Sequence, residues 1–225
     1  MTRLRQTIAR RLKADGATVI TAQRGADAEF DWIEADLSEP PNVHRAVDEA
    51  VKRAGRLDVL VNNSGIIRRA DAIDFSEQDW DDVMNVNLKS AFFLTQAVAK
   101  QMLAGGGRGK VINIASMLSF QGGIRVASYT AAKSALLGLT RLMANELAGQ
   151  GIKVNALVPG YMVTDNTEAL RADPVRSAEI LGRIPAGRWG TPEDHAGIAV
   201  FLGSRASDFV TGTAIPVDGG YSVQG

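Results

Sequence analysis

Apolar residues along this chain fall into two alternating rhythms, short continuous runs and longer stretches that recur every three to four positions. The runs at residues 17–22, 30–35, 57–61, 110–115, 152–158 and 213–217 read as strands, because each is short, apolar and bounded by turn residues. Residues 1–13, 43–54, 78–103 and 128–148 carry helical periodicity. The first of these repeats Leu4, Ile8 and Leu12 on one face before Asp15-Gly16, and the others close at Gly55, at Gly105-Gly106-Gly107 and at Gly149. Thr191-Pro192-Glu193-Asp194 predicts one more helix start, with Thr as the cap, Pro in the first turn and acids favoured by the helix dipole. Strands alternating with helices imply parallel strands joined by crossovers, hence an α/β fold with a doubly wound parallel sheet. The 225 residues suit one undivided α/β domain, 1–225, and no repeat or low-complexity stretch divides them. The segment 160–190 is the least regular part, long, polar and Arg-rich, and follows a strand's carboxyl end. Ligands of open parallel sheets bind on that edge, so it reads as a substrate-binding loop.

Charge narrows the function. Lys plus Arg and Asp plus Glu both total 25, so no long-range field favours nucleic acid or an anionic membrane. A small anionic substrate stays compatible, since a site can concentrate Arg locally. With no Cys, disulfides, thiol nucleophiles and thiolate metal sites are excluded, and a cytoplasmic location fits. No metal site is expected. No apolar run approaches the roughly 18 residues that span a membrane. Arg3, Arg5, Arg10, Arg11 and Lys13 crowd the first 13 residues without an acid, a pattern shared with transit peptides. The four-residue apolar repeat favours a surface helix there.

Tyr129 and Lys133 stand four apart on a helix and therefore share one face. A phenol ordinarily titrates near pH 10, too high for acid–base work at neutral pH, and an ammonium one turn away lowers that value. Such a pair can pass a proton to a carbonyl or take one from a hydroxyl. By itself it also fits a plain surface pair. Ser116 follows the strand at 110–115, where a hydroxyl can hold a substrate oxygen; read alone, it fits a helix cap equally well. Asn87 lies inside a helix, a mildly unfavourable place for Asn that hints at a polar task.

Taken together, Asn62-Asn63-Ser64-Gly65, Asn87, Ser116, Tyr129-Thr130-Ala131-Ala132-Lys133, Pro159-Gly160 with Thr164, and Val217-Asp218-Gly219-Gly220 resemble the short-chain dehydrogenase/reductase family. The resemblance covers almost everything after residue 8. It implies a Rossmann-like fold and a nicotinamide cofactor. It implies that Tyr129 is the acid–base catalyst, that Lys133 binds the nicotinamide ribose and lowers the Tyr pKa, that Ser116 orients the substrate carbonyl, and that Asn87 supports a proton relay. It places Asp36 and Leu37 near the adenine, Asn63, Gly65, Pro159 and Gly160 along the cofactor cleft, and Val163 and Thr164 near the nicotinamide amide. It also implies a homotetramer. The stretches 66–69, 115–126 and 183–190 are similar to the sugar-acid dehydrogenases of that family, which implies an anionic sugar-acid substrate. A guanidinium fork suits its carboxylate, with Arg68, Arg125 and Arg171 foremost and Arg69 and Arg176 as further candidates, one or two of which touch substrate.

The opening departs from the family pattern. No buried strand and Gly-rich turn precede the first helix, and Arg3 and Arg5 stand where two of the glycines belong. The fold is therefore expected to be shortened at the N-terminus, with the strand between those at 17–22 and 57–61 lacking and its neighbours left with unpaired backbone. Residues 24–31 leave no room for a helix. At the cofactor-selecting position the chain has Gln23-Arg24 rather than an acid, so NAD or NADP is expected with a lean to NADP. Two other readings stay open: a scaffold or nucleotide-sensing protein without chemistry, and a dehydrogenase of the same family for another polyol or ketone.

Overall fold

The structure, a computed structural model, describes residues 3–224. Helix α1 (Arg3–Ala14) leads to strands β1 (Ile20–Gln23) and β2 (Asp31–Glu34), then α2 (Pro40–Ala54) and β3 (Val59–Asn62). Helices α3 (Glu77–Met84) and α4 (Ser90–Ala104), strand β4 (Gly109–Ile114), helix α5 (Ala127–Leu147) and strand β5 (Ile152–Pro159) follow. The chain closes with α6 (Glu168–Ala172), α7 (Pro174–Gly182), α8 (Ala196–Gly203) and β6 (Ala214–Val217). The helix expected over 1–13 is present from Arg3 onward; its first two residues lie outside the described ones. None of the helices among the described residues is long and apolar enough to cross a membrane.

Strands β3-β4-β5-β6 form a parallel sheet in that order, and every residue of β4 is buried. Because successive strand residues point to opposite faces, β4 feeds two cores. Val111 joins Val43, Val47, Val98 and Met102 under α2 and α4, while Ile112 and Ile114 join Leu4, Ile8 and Leu202 under α1 and α8. Helices thus cover both faces, the doubly wound arrangement expected of parallel strands.

Among the described residues the strands form two separate sheets, as expected. β1 pairs only with β2, and among the described residues no strand joins β1 to β3. All four residues of β1 stay half-buried, and the hydroxyl of Thr21 is enclosed without a partner. No helix forms between β1 and β2, as their spacing predicts.

The helix predicted over 78–103 is present from Glu77 to Ala104 and carries a π-helical turn, Asn85–Lys89, between α3 and α4, which periodicity alone does not reveal. One expectation needs correction. The segment 160–190 is largely helical rather than irregular. Asp173 caps α7 by accepting from the backbone N–H groups of Val175 and Arg176, and Pro174 sits in its first turn, so local signals override the polar composition. Thr191 caps the short helix Pro192–His195 ahead of α8, as its sequence predicts.

Candidate active site

The predicted chemical residues meet at the carboxyl ends of β3 and β4. Lys133, buried on α5, donates from Nζ to the carbonyl of Ile114 at 2.6 Å, which fixes the ammonium at the end of β4. Tyr129 lies one turn earlier, with Lys133 Nζ 5.8 Å from its ring centroid. Burial pushes the Tyr129 phenol above its ordinary value, while the Ser116 hydroxyl and then the Arg69 charge pull it down. The expected lowering by Lys133 therefore does not set the balance here; the ammonium lies over the ring, and the enclosed site favours the protonated phenol. Lys133 is itself lowered to about 8, by burial first and then by the charge of Arg5.

Ser116 is a cap and a site residue at once. Its Oγ accepts from the Leu118 N–H at 3.2 Å, opening a short helix, Met117–Ser119. Ser119 in turn donates to the Lys133 carbonyl at 2.7 Å, so one turn ties β4 to α5. Asn87 sits in the π-helical turn, where the extra residue redirects the helix face. Its Oδ1 accepts from Ile66 N–H at 2.8 Å and its Nδ2 donates to Ile66 O at 2.9 Å, clamping the loop after β3. Gly65 lies between Asn87 and Lys133: a Cβ there would stand at contact distance, 3.6 Å from Asn87 Oδ1 and 3.8 Å from Lys133 Nζ.

The expected cofactor edge is more uneven. Arg5 donates from Nε to Asn63 O at 2.7 Å and from Nη2 to Gly65 O at 3.4 Å. Arg24, at the end of β1, lies 3.9 Å from Asp36. Asp36 accepts from the Ser38 hydroxyl at 2.6 Å and its backbone N–H at 3.0 Å, bonds that hold its carboxyl below the usual range, with Arg24 adding to them. Leu37 beside it is buried. Pro159 ends β5, and a side chain at Gly160 would stand 2.5 Å from the Asp218 Cα, so only glycine fits. Asp218 caps its own turn by accepting from Gly220 and Ser222 N–H groups, which gives that part of the motif a structural role. Val163 donates to the Gly190 carbonyl at 2.9 Å, and the Thr164 carbonyl accepts from Arg171 at 3.3 Å.

The arginines divide. Arg68 is held by Asp79 and Asp82, both at 3.1 Å, Arg125 by Asp71 at 3.2 Å, and Arg176 by Glu179 at 2.7 Å. Among the described residues Arg69 bonds only the Asn166 carbonyl, at 3.2 Å, and its charge reaches Tyr129. Arg171 has a buried Nε without a partner. Sequence reasoning missed the role of Arg5, which it treated only as a glycine replacement. It also missed a buried polar chain in which Asn62 donates to Thr95 and Asn113, and Asn113 to Thr140, joining β3, β4, α4 and α5. Isolated polar letters inside apolar runs are its only signal.

A family described as enoyl-(acyl carrier protein) reductase matches residues 6–222. The chain belongs to the short-chain dehydrogenase/reductase family. Within that family it is 62% identical over 189 residues to 2-dehydro-3-deoxy-D-gluconate 5-dehydrogenase of Escherichia coli (strain K12), covering 84% of this chain and 75% of the relative. A solved structure from Agrobacterium tumefaciens with bound NADP, provisionally named a 2-deoxy-D-gluconate 3-dehydrogenase, is 53% identical with a TM-score of 0.91, covering 99% of this chain and 93% of that one. Gluconate 5-dehydrogenase from Burkholderia cenocepacia J2315, solved with NADP and tartrate, is 40% identical with a TM-score of 0.91, covering 98% and 91%. The short-chain dehydrogenase/reductase fold therefore extends over the split sheet as well as the intact one.

Proposed function

We propose that this chain is an NAD(P)-dependent oxidoreductase interconverting a secondary hydroxyl and a ketone on a sugar acid of the 2-dehydro-3-deoxy-D-gluconate class, working as a cytoplasmic homotetramer. The observation that carries the reading is the cluster in which the Tyr129 hydroxyl meets Ser116, Lys133 lies against the Tyr129 ring, and Lys133 and Asn87 flank Gly65. The nicotinamide end of a dinucleotide fits this cleft: Gly65 lies between Asn87 and Lys133, and Lys133 offers a buried cation there. Asn63, Gly65, Pro159, Gly160, Val163 and Thr164 line its course, with Asp36, Leu37 and Arg24 toward the adenine. When bound, the cofactor supplies or accepts the hydride at the substrate carbon.

The protein's own part is protonic and electrostatic. In the reducing direction Tyr129, kept protonated by burial, gives its proton to the substrate oxygen. Ser116 holds that oxygen and, with the charge of Arg69, stabilises the phenolate left behind. Lys133 holds the ribose, and Asn87 keeps the loop at Ile66 in place. Arg69 and Arg171, which pair with no acid among the described residues, take the substrate carboxylate; Arg68 and Arg125 already have acidic partners. Gln23-Arg24 in place of an acid supports NADP over NAD.

The split sheet favours a second reading, a scaffold that binds cofactor poorly. One experiment separates them: titration with NADH and NADPH by nicotinamide fluorescence, with turnover of 2-dehydro-3-deoxy-D-gluconate in parallel. Binding with turnover, and a loss of about 100-fold or more in kcat for Tyr129→Phe at unchanged nucleotide affinity, supports the enzyme. Near-wild-type turnover in Tyr129→Phe refutes the assigned proton donor.

A further inference from the structure

Arg5 is a cation without a counter-charge in the middle of the cleft. It is half-buried, and its two recorded partners are the carbonyls of Asn63 and Gly65. No Asp or Glu among the described residues lies within ion-pair reach of it, whereas the more exposed Arg10, Arg11, Arg53, Arg56 and Arg188 all have one. Withdrawing a guanidinium from water without a carboxylate is unfavourable unless another anion arrives.

The surroundings add to the excess. Lys133 and Arg24 are each close enough to share a field with Arg5, and the carboxylate nearest Arg24, Asp36, is engaged by Ser38. Three cations therefore face one occupied acid. A guanidinium fork is suited to phosphoryl oxygens, and two carbonyls fix Arg5 through Nε and Nη2 while Nη1 has no partner among the described residues.

The order of these cations identifies the anion. In the function proposed above, on which this step rests, Lys133 holds the ribose at the nicotinamide end and Arg24 the adenosine end. Between the two ends of a dinucleotide lies its diphosphate. We propose that Arg5 binds the diphosphate bridge, its side-chain donors doing what backbone N–H groups of a Gly-rich turn do at such sites elsewhere.

The test is binding, measured on the full chain without turnover. Wild type, Arg5→Gln, Arg5→Lys and Arg24→Gln are titrated with NADH and NADPH by fluorescence and with inorganic pyrophosphate by calorimetry. Arg5→Gln should weaken all three ligands alike by about 10- to 100-fold, since the diphosphate is common to them. Arg24→Gln should weaken NADPH selectively. Should Arg5→Gln fail to fold, Arg5→Lys carries the test, with a smaller loss again shared by all three. Unchanged or tighter binding in Arg5→Gln would mean that Arg5 obstructs the cleft, and a loss confined to NADPH would assign it to the ribose phosphate; either overturns the proposal. Wild type binding pyrophosphate through Arg5 but neither dinucleotide would sustain the anion site while ending the dehydrogenase reading.

Discussion

The four-stranded block and the two-stranded ribbon are built to different standards. In the block, β4 and nearly all of β5 are buried, and the strands pair without interruption from Val59 to Val217. In the ribbon, β1 is half-buried throughout and only Ile33 of β2 is buried. The proton-handling residues all belong to the block or to elements packed on it. The ribbon carries only Arg24 and the approach to Asp36. The residues proposed for proton transfer thus rest on the block, as do most of those proposed along the cofactor cleft, and the ribbon adds only the proposed adenosine end.

Stability should follow the same division, since local opening is easiest where backbone pairing and burial are least complete. Leu157 on β5 is fully enclosed, so Leu157→Ala should cost about 2–5 kcal/mol in urea denaturation. Ile20 on β1 is only half-buried, and Ile20→Ala should cost about 1 kcal/mol. Amide hydrogens of β1 should also exchange faster than those of β5. Equal costs and equal protection would show that the gap in the sheet is energetically closed.

Much of this division was legible in the letters. The strands at 110–115 and 152–158 were read from short, largely apolar runs, and β4 and β5 match them to within a residue. The break between β1 and β3 was expected from comparison with the family pattern, which has a strand between them. Tyr129, Lys133, Ser116 and Asn87 were found by spacing and resemblance together. The π-helical turn at Asn85–Lys89 was not legible, because a one-residue bulge leaves the apolar repeat nearly unchanged. Which arginines are free was equally hidden: Arg68 and Arg125 differ from Arg69 and Arg171 only through acids brought near by folding. The sense of the Tyr129 shift depended on burial, which spacing does not reveal.

Within the block, Arg5 and Lys133 share a field, and pH can expose that coupling. Lys133 titrates near 8 in the folded chain against 10.5 ordinarily. Below about pH 8 both states carry the proton and the penalty for burying the charge is fully present. Between about 8 and 10.5 the unfolded chain holds the proton and the folded one does not, so this residue's contribution to stability rises with pH. The rise should be about 3 kcal/mol at most, read as wild type minus Lys133→Met in urea denaturation across that window. In Arg5→Gln the rise should be smaller, because one of the two causes of the shift is gone. A pH-independent difference would mean that Lys133 is not held in this environment.

The smallest effect concerns how the ribbon is tethered. Arg10 on α1 meets both carboxylate oxygens of Glu29, each at 2.7 Å, just ahead of β2. The geometry is bidentate, yet both groups are open to water, where such a pair gains little and salt screens it. The apolar alternative is near at hand: Phe30 and Ile33 are buried, and the Lys13 ammonium lies 5.4 Å from the Phe30 ring centroid. Glu29→Gln should therefore leave the melting midpoint unchanged at about 0.15 M salt and lower it slightly only at low salt. A marked drop at physiological salt would mean that α1 and the ribbon are joined by this one ion pair rather than by the residues beneath it.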